Sequence, residues 1–208
     1  MKHCLALCSV LLLALSLPAF AGSVDFSNSG GTLTGSNAGL SLSGSVLFSV
    51  TVGSAVITGN NLGSVVFSTG ALSGGSLAMG GTFDAGGSFV ITTNGTGGLP
   101  NGTIFSGTFD QPSSWTLVTL ANGTHNYTLT GTLSGTTITG TTVSGVTVQL
   151  TINTGKGFFN GSTTISSGDT NFTASGSTFG IVPEGPSMLY LGTGLVAMAG
   201  FVKRRLKR

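Results

Sequence analysis

Between Gly22 and Ile181 the sequence has no cysteine, no glutamate, one histidine (His125) and one lysine (Lys156). Each scarcity removes a class of chemistry. Both cysteines, Cys4 and Cys8, stand in the first eight residues, so this stretch has no disulfide, thiol nucleophile or thiolate metal site to offer. One lysine against Asp25, Asp84, Asp110 and Asp169 makes no basic patch, and nucleic acid is excluded as an expected partner. A hydrolase needs a nucleophile with its base, a carboxylate pair or a metal. His125 has no second histidine beside it and lies in the turn-forming run Asn122-Gly123-Thr124-His125-Asn126, where it reads as a solvated loop side chain. Asp84 and Asp110 each follow Gly-Thr-Phe, and a glycosidase pair of that kind is conceivable. Turn capping at strand ends is the better account, since Gln111-Pro112 follows Asp110 directly. Isolated aspartates do not make a calcium loop either. No catalytic residue, cofactor or metal is therefore expected, and the chain reads as non-enzymatic.

What the stretch does have is glycine, serine and threonine around recurrent Val, Ile, Leu and Phe. Disordered chains of low complexity stay in solution through charge, and with 6% charged residues this one does not. The apolar residues instead recur at period two. Val46, Phe48, Val50 and Val52 alternate with polar neighbours, as do Tyr127, Leu129 and Leu133, and Val146, Val148, Leu150 and Ile152. A sheet packed on one face and wet on the other follows, with Thr and Val suited to it. Asn94-Gly95, Asn101-Gly102, Asn122-Gly123 and Asn160-Gly161 mark loop or hairpin sites. No helical period appears between Gly22 and Ile181. The fold class predicted is all-β, an antiparallel β-sandwich of which a jelly roll is one form, over residues 22–167. From Ser23 to Gly81 the apolar residues are broken up by Gly, Ser and Asn, which predicts short or irregular strands. Gly81-Thr82-Phe83-Asp84 recurs as Gly107-Thr108-Phe109-Asp110, with Phe89 and Trp115 five residues past each aspartate. Two copies are too few for a solenoid and predict two similar strand-turn-strand corners. Residues 168–182 read as a flexible polar stalk.

The two ends read as addresses. Lys2, the run Val10-Leu11-Leu12-Leu13-Ala14-Leu15 and the small-x-small site Ala19-Phe20-Ala21 describe a secretory signal helix over residues 1–21. At the other end no charge occurs from Ser187 to Val202, about 16 residues or roughly 24 Å of helix, short for a membrane span. Pro183 and Pro186 mark its start, and Lys203, Arg204, Arg205, Lys207 and Arg208 form a membrane stop on the cytoplasmic side. Pro183-Glu184, the segment Leu189-Tyr190-Leu191-Gly192-Thr193-Gly194-Leu195-Val196-Ala197-Met198-Ala199-Gly200 and the basic end resemble the PEP-CTERM sorting domain of bacterial surface proteins. The resemblance covers only residues 182–208. It implies a sorting motif at Pro183, Glu184 and Pro186, an exosortase-like sorting enzyme and the cytoplasmic membrane as partners, and a host protein associated with exopolysaccharide or biofilm. Gly185 between Glu184 and Pro186 departs from the family's Pro-Glu-Pro.

The expected function is that of an exported protein, membrane-anchored or at the cell surface, structural or adhesive within extracellular polysaccharide. The competing class is a carbohydrate-binding module with an aromatic face, for which Trp115 and Tyr127 are the only large amphipathic aromatics in the body. Trp115 alternates with Leu117 and Tyr127 with Leu129, which favours burial over a stacking platform. Asn94, Asn101, Asn122, Asn126, Asn160 and Asn171 match the Asn-x-Ser/Thr pattern, which comes almost free in this composition.

Overall fold

The computed structural model describes residues 23–173 and 176–181. The proposed signal helix, the sorting motif and the membrane segment all lie outside the described residues. Thirteen antiparallel segments follow one another: β1 (Val24–Ser29), β2 (Thr32–Ser36), β3 (Gly39–Val52), β4 (Ala55–Ser68), β5 (Leu72–Ser76), β6 (Gly80–Phe83), β7 (Gly86–Asn94), β8 (Asn101–Phe109), β9 (Ser113–Thr119), β10 (His125–Thr137), β11 (Thr142–Asn153), β12 (Ser162–Thr164) and β13 (Ser167–Phe172).

Their register reduces the thirteen to eight. Along β10, β8 pairs through Phe109↔Leu133 and β9 resumes at Ser114↔Thr130, so β8 and β9 are one long strand broken at Asp110–Pro112. By the same reasoning β6 and β7 form one strand, broken at Asp84 and Ala85, and β4 and β5 another, broken at Thr69–Ala71. β1 with β2 and β12 with β13 complete the set, with breaks at Gly30-Gly31 and Ile165-Ser166. Each composite strand pairs with its neighbours in sequence, and β13 pairs β1 while β11 pairs β10 and β13. The result is an eight-stranded up-and-down barrel. The expected two-sheet sandwich is corrected in this respect: the sheet closes on itself, which leaves no edge along its main circuit. Only past the corners do β2 with β12, and β5 with β6 and β9, leave the circuit.

The corners have a chemical cause. An interrupted ladder strands backbone groups, and buried ones need partners. At one corner Asn28 Nδ2 donates to Ser45 Oγ at 2.7 Å, and Ser45 Oγ donates to the Ser29 carbonyl at 3.1 Å. At another, Thr69 Oγ1 accepts the Leu40 N–H at 2.9 Å and donates to the Gly70 carbonyl at 2.9 Å. Asp110 receives Thr132 Oγ1 at 2.6 Å and Ser134 Oγ at 3.1 Å, so its carboxylate ties the corner to hydroxyls of the neighbouring strand β10, where the sequence predicted a cap on its own turn. Gly31, with φ +79, passes the Ser43–Ser45 backbone so closely that a Cβ would lie 2.5 Å from Ser45 N.

Three sequence expectations change here. The first third holds the longest strands, β3 and β4, and its irregularity takes the form of bulges between Leu42/Ser45 and Leu47/Ser49. Those bulges flip the alternation, so Leu47, Val50 and Val52 point in while Phe48 lies outside, 39% exposed. The stalk predicted from residue 168 begins as strand: residues 168–172 belong to β13, a full member of the circuit between β1 and β11. Beyond it Phe179 and Ile181 are buried, and Phe179 meets Phe26 and Phe172 edge-on at 5.5 and 4.6 Å.

The Gly-Thr-Phe-Asp echo does mark two corners. Phe83 ends β6 and Phe109 ends β8. The copies exchange partners: Gly81 faces Trp115 across β6–β9, and Gly107 faces Phe89 across β7–β8. At both glycines a neighbouring backbone passes close: a Cβ on Gly81 would run into the Gly74 carbonyl oxygen, and one on Gly107 into that of Ser134.

Candidate functional surface

The interior is filled by side chains. Phe67, Phe89 and Phe109 stack or meet edge-on at 5.7 to 6.1 Å, and Phe105 reaches Phe172 at 4.9 Å. At one end Trp115 and Tyr127 are 1% and 0% exposed and stacked at 5.1 Å. Both come from adjacent strands in the register Tyr127↔Leu117 and Leu129↔Trp115, so their rings share the inner face. Their polar atoms close the barrel end. Trp115 Nε1 donates to the Leu77 carbonyl at 2.9 Å, and Tyr127 Oη donates to the Ala78 carbonyl at 2.6 Å while accepting the Phe159 N–H at 3.0 Å. One hydroxyl thus ties the turn at residues 77–79 to the loop at residues 154–161. Trp115 and Tyr127 are therefore a structural clasp, buried as their alternation with Leu117 and Leu129 favoured, and the alternative of an exposed stacking platform for glycan falls.

His125 also departs from its expectation. It opens β10 with 8% exposure, stacks on Phe158 at 4.4 Å, and has Nδ1 3.2 Å from the Gly157 carbonyl. Its backbone N–H donates to the Gly155 carbonyl and its carbonyl accepts the Thr154 N–H, so His125 anchors the same loop. The turn ends at Thr124, one residue before the histidine.

The outer wall is the surface open to a partner. Registers run one polar row through seven strands: Ser114, Thr130, Gln149, Asp169, Ser27, Ser49 and Thr58. A second row holds Thr132, Thr147, Asn171, Asp25 and Thr51. Within this wall Asp25 and Asp169 are diagonal neighbours across β1–β13. Burial, then the Asp169 charge, raise the Asp25 carboxyl above the ordinary aspartate range, against a lowering hydrogen bond from the Phe26 backbone. Asp25 Oδ1 is buried and has no hydrogen-bond partner among the described residues. Sequence reading missed this pair because Asp25 and Asp169 meet only through the closing β1–β13 ladder.

Two shallow depressions indent the surface, about 210 Å³ beside Val143, Val146 and Phe172 and about 250 Å³ beside Gly35, Leu40 and Thr69. Among the described residues no three His, Cys, Asp or Glu side chains converge as metal ligands, and no helix is long and apolar enough to cross a membrane. Pro183, Glu184, Pro186, Lys203, Arg204, Arg205, Lys207 and Arg208 lie outside the described residues. No protein-family model, no curated protein and no solved structure matches the chain.

Proposed function

We propose that this chain is an exported, non-enzymatic surface protein, sorted or anchored through its PEP-CTERM-like tail and structural or adhesive in a matrix of extracellular polysaccharide. The observation that carries the reading is the contrast between the two sides of the wall: a barrel packed with aromatic rings inside, and outside rows of hydroxyls and amides interrupted by exposed Phe48, Val56, Val66 and Val118. An eight-stranded barrel can hold one small ligand when its interior is left open, but this interior is occupied by Phe26, Phe67, Phe89, Phe105, Phe109 and Phe172. Recognition then falls to the outer wall, where hydroxyls and amides surround the Asp25 and Asp169 carboxyl groups and Lys156 is the one cation of residues 22–181, a balance that suits polyols better than nucleic acid. A carbohydrate-binding module built on an aromatic groove is disfavoured by the burial of Trp115 and Tyr127.

Pull-down on neutral and acidic polysaccharides by the protein isolated from its cells tests the reading. Retention on neutral polymers that survives high salt is the expected result. Retention only on acidic polymers, or on none, would count against it. The tail is tested separately by reading the C-terminus of the surface-exposed form, where an intact Arg208 would rule out processing by an exosortase-like enzyme.

A further inference from the structure

Four Asn-Gly pairs occur in the described residues, and the fold treats them differently. Succinimide formation needs the glycine amide nitrogen to reach the asparagine Cγ, so a hydrogen bond on either group, or a paired extended backbone, holds the reaction back. Asn94 is held twice: its Nδ2 donates to the Asn61 carbonyl at 2.9 Å and its Oδ1 accepts the Thr96 N–H at 3.0 Å. At Asn122, Oδ1 accepts the Thr124 N–H at 3.0 Å, and the Gly123 nitrogen is occupied by the Leu120 carbonyl at 2.9 Å. Asn101 and Gly102 belong to β8, paired with Asn94 and Thr93. Asn160 is exposed, outside any strand, and its side chain has no hydrogen bond among the described residues. Gly161, at a bend with φ +103, accepts the Gly35 N–H at 2.8 Å through its carbonyl, while its own nitrogen donates to no backbone carbonyl among the described residues.

We infer that Asn160 is a site of spontaneous deamidation, selected from among the four pairs by the fold. The Gly161 nitrogen loses its proton and attacks Asn160 Cγ, ammonia leaves with the amide nitrogen, and the resulting succinimide takes up one water to give aspartate or isoaspartate. No oxidant or enzyme is needed. The position gives the change a consequence. Phe159, immediately before it, is buried against Trp115 at 5.6 Å and bonded to Tyr127 Oη. β12, immediately after it, is only three residues long and pairs β2. Isoaspartate adds a backbone methylene between these two fixed points and a negative charge, so it loosens the β2–β12 flap first. The inference stands independently of the polysaccharide reading.

The test is peptide mapping by mass spectrometry after incubation of the full protein in heavy-oxygen water at neutral pH, native and in parallel in urea. In the native protein Asn160 is expected to take up label roughly tenfold faster than Asn94, Asn101 or Asn122, a ratio set by local opening. In urea the four rates should converge, because each asparagine precedes glycine. Asn160→Gln should remove the fast phase and leave the slow ones. Equal native rates at the four sites, or an Asn160 that stays amide in the native protein while the urea sample converts, would overturn the inference.

Discussion

Tyr127→Phe removes one oxygen atom, but that oxygen serves two loops. The loss leaves the half-buried Ala78 carbonyl and the buried Phe159 N–H short of a partner, and about 1–3 kcal/mol of stability should go with it. Trp115→Ala, which empties a large fully buried volume, should cost about 3–5 kcal/mol. Urea unfolding midpoints measure both, and a neutral Tyr127→Phe would remove the clasp from the account. Asp25 gives a prediction of opposite sign. Its carboxyl is raised by burial and by Asp169, so the folded state holds its proton to higher pH than the unfolded chain does. The ionised form therefore destabilises the fold above the raised pKa, and the penalty fades as pH falls through it towards the ordinary aspartate value. Asp25→Asn should stabilise the protein at neutral pH, with the gain shrinking and then vanishing in acid. A gain that is independent of pH would contradict this.

At the scale of elements, the corners decide where strands bend. Gly30 and Gly31 are adjacent and both have positive φ, but a Cβ on Gly30 meets open space while one on Gly31 runs into the Ser43–Ser45 backbone. Gly30→Ala should cost about 1 kcal/mol, the conformational price alone. Gly31→Ala should cost clearly more, measured by the same unfolding curves, and equal costs would mean that the corner relaxes freely. The elements also show what the sequence could reveal. β10 and β11 were legible because their inward positions, Tyr127, Leu129, Leu133, Val146, Val148, Leu150 and Ile152, keep strict alternation. In β3 two bulges shift the phase, so counting by twos placed Phe48 in the core, where the fold leaves it outside. β13 was hidden because its inward positions are Gly168, Thr170 and Phe172, only one of them a large apolar residue. Its strand character comes from neighbours on both sides, which no local pattern records. The turn signals fared unevenly for a related reason: Asn122-Gly123 makes a turn, whereas Asn101-Gly102 opens a strand because Asn94 stands across from it.

At the scale of the whole molecule, closure separates this fold from the sandwich the alternation suggested. Alternation gives one wet face and one packed face, and that is equally true of two stacked sheets and of one sheet wrapped round. The choice lies in long-range registers such as Val24↔Phe172 and Val148↔Thr170. Deleting residues from 168 onward should therefore abolish cooperative unfolding, because it opens the circuit and removes Phe172 and Phe179 from the core. A cooperative transition in that truncation would contradict closure. The proposed addresses at the two ends make export the central claim. The most direct test is the N-terminal residue and cellular fraction of the protein recovered from its own cells, read by mass spectrometry. The account predicts a chain beginning at Gly22 in the envelope or surface fraction; a chain retaining residues 1–21 in the cytoplasmic fraction would contradict it.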